Sequence, residues 1–142
     1  MIRFEDIPFQ YGLCLKSDCP LADTCLRHLA VAALPEENDY ATIVLPHKCI
    51  EGADGKPSYY RSNAKVRHAR GFTRVLKTFP VGVLDAFRDR LIGTYPRSKY
   101  FKMRRGDILL TPKEQEFIVQ TARNKGFQGE FTFDNYEEHY LW

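Results

Sequence analysis

The sequence predicts an α+β fold: one domain of about three helices packed on a small, mostly antiparallel sheet. Three segments carry helix signals, and short strand-like runs lie between them. Helices and strands do not alternate at the regular spacing of βαβ units, which argues against a doubly wound parallel sheet. The chain has 142 residues, 44% of them hydrophobic, the size of one domain that can bury a core. We therefore expect residues 1–142 to form a single domain, in which residues 1–50 carry cysteines but do not fold independently.

The helix signals differ in kind. Residues 21–34 are rich in good helix formers and are followed by Pro35, which predicts a stop. Residues 81–92 follow a proline and place their apolar side chains on one stripe. A third helix is expected to begin at the capping-box sequence TPKE, residues 111–114, and to stop at Gly126.

Strand signals are shorter and weaker. Apolar and aromatic runs predict strands at residues 41–45, 99–103, 108–110 and 130–133. Residues 59–79 show no clean period, so the sequence makes no choice between helix and strand there.

Four cysteines form the first candidate site. Cys14, Cys19, Cys25 and Cys49 follow the pattern C-x4-C-x5-C-x23-C, which supplies enough thiolates for one tetrahedral zinc ion. Four thiolates leave no open coordination position, so we expect a structural zinc. His28 and His47 lie close to this pattern in sequence, and either could replace a cysteine as a ligand.

Two other interpretations of the cysteines stay open. Gaps of four and five residues are less diagnostic of zinc than a C-x2-C pair. The segment CPLADTC resembles the last cysteine pair of the iron–sulfur loops in some DNA glycosylases and nucleases, a likeness that implies a [4Fe–4S] cluster as the alternative cofactor. With no metal at all, the four residues would be free or buried thiols.

Charge is segregated along the chain, although the net charge is only +3. Residues 56–105 carry 14 Lys/Arg against 2 Asp/Glu, whereas residues 1–55 carry 4 against 9 and residues 106–142 carry 3 against 7. A basic block interleaved with aromatic residues is typical of a surface that binds RNA or DNA. The acidic flanks could instead neutralise this block after folding.

The candidate nucleic-acid-binding residues fall in two clusters. The first comprises Arg61, Lys65, Arg67, Arg70 and Arg74, and the second comprises Arg97, Lys99, Lys102, Arg104 and Arg105.

The sequence shows no motif of known chemistry. It contains neither a phosphate-binding loop nor a GxGxxG, HExxH or GxSxG pattern, so we assign no catalytic residue and expect a protein that is not an enzyme. No apolar run approaches the roughly 18–20 residues of a membrane span, and the N-terminus lacks the apolar stretch of a secretory signal. We expect a cytoplasmic protein without a membrane partner.

Four segments together resemble a family of small, uncharacterised bacterial domains with an N-terminal cysteine cluster. They are CLKSDCPLADTCLRH, ARGFTRVL, RRGDILLTPKEQEFI and FDNYEEHYLW. The resemblance implies a compact bacterial domain and carries no activity or site residues. From the residues themselves we expect an accessory or regulatory protein with a structural metal, binding nucleic acid or a ribonucleoprotein through its basic surface. The alternative is a protein–protein adaptor that uses the aromatic, acidic C-terminus, and an iron–sulfur protein or an undetected enzyme comes third.

Overall fold

The structure is a computed structural model that describes residues 1–142, and it has the mixed α+β fold that the sequence predicts. It contains five helices and a two-stranded antiparallel sheet in which β1 pairs with β2. In chain order the elements are α1 (Leu26–Leu29), β1 (Lys65–Arg70), α2 (Thr73–Leu76), α3 (Val81–Thr94), α4 (Arg97–Arg105), α5 (Pro112–Asn124) and β2 (Asn135–Tyr140).

The chain divides into two compact units. Unit 1 comprises residues 1–64 and 140–142, and unit 2 comprises residues 65–139. Unit 1 holds only one short α-helix, α1, together with several 3-10 turns. Every helix longer than four residues lies in unit 2.

Two of the predicted helices are confirmed. Helix α3 follows Pro80, and its stripe buries Phe87 and Leu91 completely. Helix α5 begins at the expected capping box: the Thr111 hydroxyl accepts from the Glu114 amide at 3.3 Å, and the Glu114 carboxylate accepts from the Thr111 amide at 3.2 Å. Both helices form where spacing and capping agree.

The predicted strand at residues 99–103 is wrong, because this segment lies inside helix α4. Pro96 precedes the helix and Gly106, at a φ of 88°, ends it, which is the usual asymmetry of helix ends. Tyr100 and Met103, three residues apart, are the two buried side chains. That spacing fits one face of a helix and not one face of a strand.

The other expected elements form only in part. Residues 22–33 are helical, but as a 3-10 turn, the four-residue α1 and a second 3-10 turn. The expected strands at 41–45 and 108–110 contribute one isolated bridge each. Residues 130–133 form no strand, and the C-terminal strand β2 begins five residues later than expected. The ambiguous segment 59–79 contains both β1 and α2.

An aromatic cluster forms the core of unit 2. Phe72 is fully buried and contacts Phe87, Tyr100, Phe131 and Phe133 with ring centroids 6.0–6.3 Å apart. These rings come from the start of α2, from α3 and α4, and from the segment before β2, so the core ties together parts of the chain that are distant in sequence. Edge and tilted contacts of this kind add to the hydrophobic gain of burying the rings.

No helix in the structure is both long and apolar enough to cross a membrane.

Candidate functional site

All four cysteines line one cavity of unit 1. The cavity has a volume of about 580 Å³, and no two of the cysteines are joined by a disulfide. His28 lines the same cavity, whereas the exposed His47 does not. The structure therefore brings together every cysteine that the sequence singles out, and it separates the two histidines that sequence spacing leaves equivalent.

Short backbone pairings hold Cys14 in place. The preceding residue, Leu13, pairs with Ile43 in a parallel bridge, and the Cys14 amide donates to the Arg27 carbonyl at 2.9 Å. The chain around Cys14 is thus fixed to two segments that follow it at a distance in sequence.

Cys25 occupies the N-cap position of α1. Its carbonyl accepts from the amides of His28 and Leu29 at 3.1 and 2.9 Å, and the residue is only 8% exposed. Cys25 therefore lies just before α1, whereas the helix expected over residues 21–34 would have contained it.

The Cys49 thiol donates to the Leu45 carbonyl at 3.8 Å, and Cys14 and Cys19 are close enough to act on it electrostatically. Burial raises the pKa of Cys49, and the neighbouring Cys14 raises the pKa further. Without a cation at the site, Cys49 is therefore held in its neutral thiol form, and a metal ion would reverse this by favouring the thiolate.

The structure contains no group of three or more His, Cys, Asp or Glu side chains already placed to hold one metal ion. The donor chemistry nevertheless suits a thiophilic metal, because four cysteines and one histidine line the same cavity. Binding would require these side chains to turn toward one point within the cavity.

Arg27 organises the wall of the cavity, a role that the sequence does not indicate. Its guanidinium donates to the carbonyl of Gly12 at 2.7 Å and to that of Tyr59 at 2.8 Å. The same guanidinium lies 4.5 Å from the ring centroid of Tyr11. Sequence spacing offers no signal for this arrangement, because its partners lie 15 residues before Arg27 and 32 residues after it.

The predicted basic residues are divided between the two units, with Arg61 in unit 1 and the other nine in unit 2. Four of those nine form ion pairs with acidic residues near or beyond the end of the basic block. The pairs are Arg70–Glu137 at 2.9 Å, Arg74–Asp134 at 3.3 Å, Lys99–Glu114 at 3.8 Å and Arg105–Asp107 at 2.7 Å. Part of the basic block is therefore neutralised by the acidic C-terminal third.

One face of α4 keeps its positive charge. Arg97 and Arg104 both lie over the Phe101 ring, 5.2 and 4.8 Å from its centroid. Lys102 is exposed on the same helix. In the first cluster, Arg67 is exposed and stacks 3.7 Å from the centroid of the Tyr136 ring. We call Arg97, Phe101 and Arg104 the α4 cationic face.

Part of the acidic and aromatic C-terminal segment forms strand β2. Phe133 is buried, and Phe131 and Tyr136 pack against the core of unit 2. Asp134 accepts four hydrogen bonds from Thr73 and Arg74. These contacts give most of this segment a structural role inside unit 2.

Together, the fold and the cavity define a class: an α+β protein with a thiol-lined pocket in one unit and an aromatic core in the other. The chain belongs to the family of unknown function DUF6078, which matches it over residues 1–142. The family assignment confirms the resemblance to an uncharacterised family, and the bacterial origin stays a prediction. No curated protein and no solved structure matches this chain.

Proposed function

We propose that this chain is a cytoplasmic accessory or regulatory protein that holds a structural zinc ion in the thiol-lined cavity and binds nucleic acid through unit 2. The convergence of Cys14, Cys19, Cys25 and Cys49 on one cavity supports the zinc site. Thiolates are preferred ligands of structural zinc, and the ligands of such a site close around the ion without leaving an open position.

Zinc would supply order that the backbone of unit 1 lacks. This unit has one four-residue α-helix and isolated bridges in place of a sheet. The cysteines come from separate segments, so joining them through one ion would cross-link the unit. In small sites of this kind, metal-binding free energy becomes folding free energy.

Elemental analysis of the whole chain, purified without oxygen, tests the zinc proposal. We expect one zinc per chain, with Cys19→Ser losing the metal and His47→Ala retaining it, because His47 lies outside the cavity. Wild-type protein that takes up no zinc when reconstituted would refute the proposal.

A [4Fe–4S] cluster is the second candidate, because the cavity of about 580 Å³ is larger than one ion needs and such a cluster takes four cysteine thiolates. The same preparation separates the two cofactors. Brown protein with broad visible absorbance and bound iron would favour the cluster, whereas colourless protein with zinc would favour the ion.

The nucleic-acid part of the proposal is supported by the α4 cationic face. Its two cations, Arg97 and Arg104, have no acidic partner among the ion pairs of the structure. Cations bind phosphates, and guanidinium planes provide surfaces on which unpaired bases stack. We therefore propose single-stranded RNA or DNA as the ligand, bound through this face and not through the ten predicted residues as a set.

Fluorescence anisotropy with labelled single-stranded RNA and DNA oligonucleotides tests this interface. Contacts from two cations predict a slope of about −1.4 for the logarithm of affinity against the logarithm of salt concentration. Arg104→Glu should weaken binding and flatten the slope, whereas Arg123→Glu, an exposed charge reversal on α5, should act only through net charge. Absence of binding at low salt, or equal effects of the two substitutions, would refute the interface.

The adaptor alternative would depend on aromatic anchors in the C-terminal segment. Of these, Phe133 is buried and Tyr136 packs against the core, which leaves the segment with few side chains for a partner. The α4 face is therefore the interaction surface that we favour.

A further inference from the structure

Seven side chains of metal-ligating type line the cavity, namely the four cysteines, His28, Glu51 and Asp54. A structural zinc ion takes four ligands, and structural sites are built from cysteine and histidine, which leaves the four cysteines and His28 as the donors to consider. If the proposed zinc site exists, at least one of these five donors is not a ligand.

The imidazole of His28 is already oriented for metal binding. Its Nδ1 lies 3.0 Å from the Cys14 carbonyl oxygen. A carbonyl oxygen can only accept a hydrogen bond, so Nδ1 must carry the proton and Nε2 must present a lone pair. Zinc-bound histidines commonly donate their second ring nitrogen to a backbone carbonyl, which fixes the tautomer and the ring orientation.

This hydrogen bond also joins two candidate ligands. The carbonyl that accepts from His28 belongs to Cys14, and Cys14 lines the cavity together with Cys19 and Cys49. These three cysteines and His28 are all partly exposed. They are therefore the accessible sulfur and imidazole donors of the cavity.

Cys25 differs from the other cysteines in burial and in its neighbours. It is 8% exposed and is the only buried cysteine of the four. Its backbone caps α1 and pairs with Ser62. All of these contacts give Cys25 a place in the packing of unit 1 that does not depend on a metal.

We infer that zinc is held by three cysteines and one histidine, namely Cys14, Cys19, Cys49 and the Nε2 atom of His28, with Cys25 as a packed, unliganded thiol. These ligands would close the site at the side of the cavity where the Cys14 carbonyl holds the imidazole. The four-cysteine pattern of the sequence instead favours a site in which all four ligands are thiolates.

Cobalt substitution of the whole chain distinguishes the two ligand sets. Metal-free protein is titrated with Co²⁺ and its absorption spectrum is recorded. The intensity of the sulfur-to-cobalt charge-transfer band rises with the number of thiolate ligands. The ligand-field bands also differ between a four-thiolate site and a site of three thiolates and one imidazole. We expect the intensity of three thiolates in the wild type, and an unchanged spectrum and stoichiometry in Cys25→Ser. His28→Ala should weaken Co²⁺ binding more than about 10-fold, since even the loss of a partner outside the ligand shell costs that much.

His47→Ala is the matched control, because it removes an imidazole from outside the cavity, and it should bind Co²⁺ like the wild type. The inference would be overturned by a four-thiolate spectrum in the wild type, a loss of one thiolate's intensity in Cys25→Ser and normal Co²⁺ binding by His28→Ala. That result would not contradict the proposed zinc site. Failure of the wild type to bind either metal would overturn both.

Nitrogen NMR of the zinc-loaded wild type keeps the inference testable if His28→Ala does not fold. Long-range proton–nitrogen correlations should show the His28 Nδ1 atom protonated and the Nε2 resonance shifted by the metal. A His28 ring whose two nitrogens do not respond to zinc would refute the inference.

Discussion

Replacing Asp134 should destabilise unit 2 more than any other single change of an exposed or half-exposed charge. Its carboxylate accepts from the amide and hydroxyl of Thr73 at 2.9 and 2.8 Å, and from the amide and Nε of Arg74 at 3.1 and 3.3 Å. Helix α2 has no side-chain cap of its own, since its N-cap residue is Phe72. Asp134 therefore caps α2 from 61 residues away in the chain.

The expected cost follows from these contacts. Loss of a capping side chain costs about 1 kcal/mol, and hydrogen bonds to a charged group contribute roughly 1.5–3 kcal/mol. The Arg74 side chain is 70% exposed, so the ion pair adds little to this sum. We expect Asp134→Ala to lower the free energy of unfolding by about 2–4 kcal/mol, and Asp134→Asn, which keeps one acceptor oxygen, by about half as much.

Urea unfolding followed by helical circular dichroism measures this cost, because all helices longer than four residues lie in unit 2. With a urea dependence of roughly 1–3 kcal/mol per molar, the midpoint should fall by about 1–2 M. Asp107→Ala is the control, since Asp107 pairs only with the neighbouring Arg105 side chain and is half exposed; it should change stability by less than about 0.5 kcal/mol. Equal midpoints for the two variants would refute the capping role.

The pH dependence provides an independent check. Partial burial acts to raise the pKa of Asp134, but the hydrogen bonds from Thr73 and Arg74 outweigh it and hold the pKa below the ordinary value of 3.8. A carboxyl with a lowered folded-state pKa stabilises the fold above its ordinary pKa, and this contribution is lost as the pH falls through the folded-state value. The difference between wild type and Asp134→Ala should hold from neutral pH to about pH 4 and shrink below it.

Three further results are expected. Gly71→Ala should lower the free energy of unfolding in urea by more than about 1–2 kcal/mol, because Gly71 has a φ of 71° and a Cβ there would lie 2.7 Å from a carboxylate oxygen of Asp134. Gly82→Ala is the control: no atom lies within 4 Å of its Cβ, so the substitution should be neutral or stabilising. Phe72→Ala, which removes a fully buried ring from the core, should lower stability by about 3–5 kcal/mol, and a loss below about 1 kcal/mol in thermal unfolding would contradict the packing. In metal-free protein a mild disulfide oxidant should link Cys14 to Cys49, which line the same cavity and interact electrostatically; peptide mapping that finds another pair would contradict this proximity.

The sequence predicts elements whose signals are local. Helix α5 is marked by the reciprocal bonds of Thr111 and Glu114, and α3 by the apolar stripe that buries Phe87 and Leu91. Helix α4 is missed because its aromatic run resembles a strand, although Pro96 and Gly106 frame a helix.

Contacts between distant segments are what the sequence does not reveal. The cysteine pattern suggests a shared site, but spacing alone does not distinguish His28, which faces the cavity, from His47, which does not. Segregated charge suggests either a binding surface or internal neutralisation. The structure shows that part of the block is neutralised, because Arg70 is paired with Glu137, and that part is not, because Arg97 has no acidic partner. Such choices depend on three-dimensional proximity, which composition and periodicity do not encode.

The distance in sequence between α2 and its cap has a consequence for synthesis of the chain. During translation, β1 and α2 leave the ribosome long before Asp134 and β2. Until those residues emerge, the first amides of α2 lack their acceptor and β1 presents an unpaired edge, a state that invites association with other chains. The last part of unit 2 to be made therefore completes its fold.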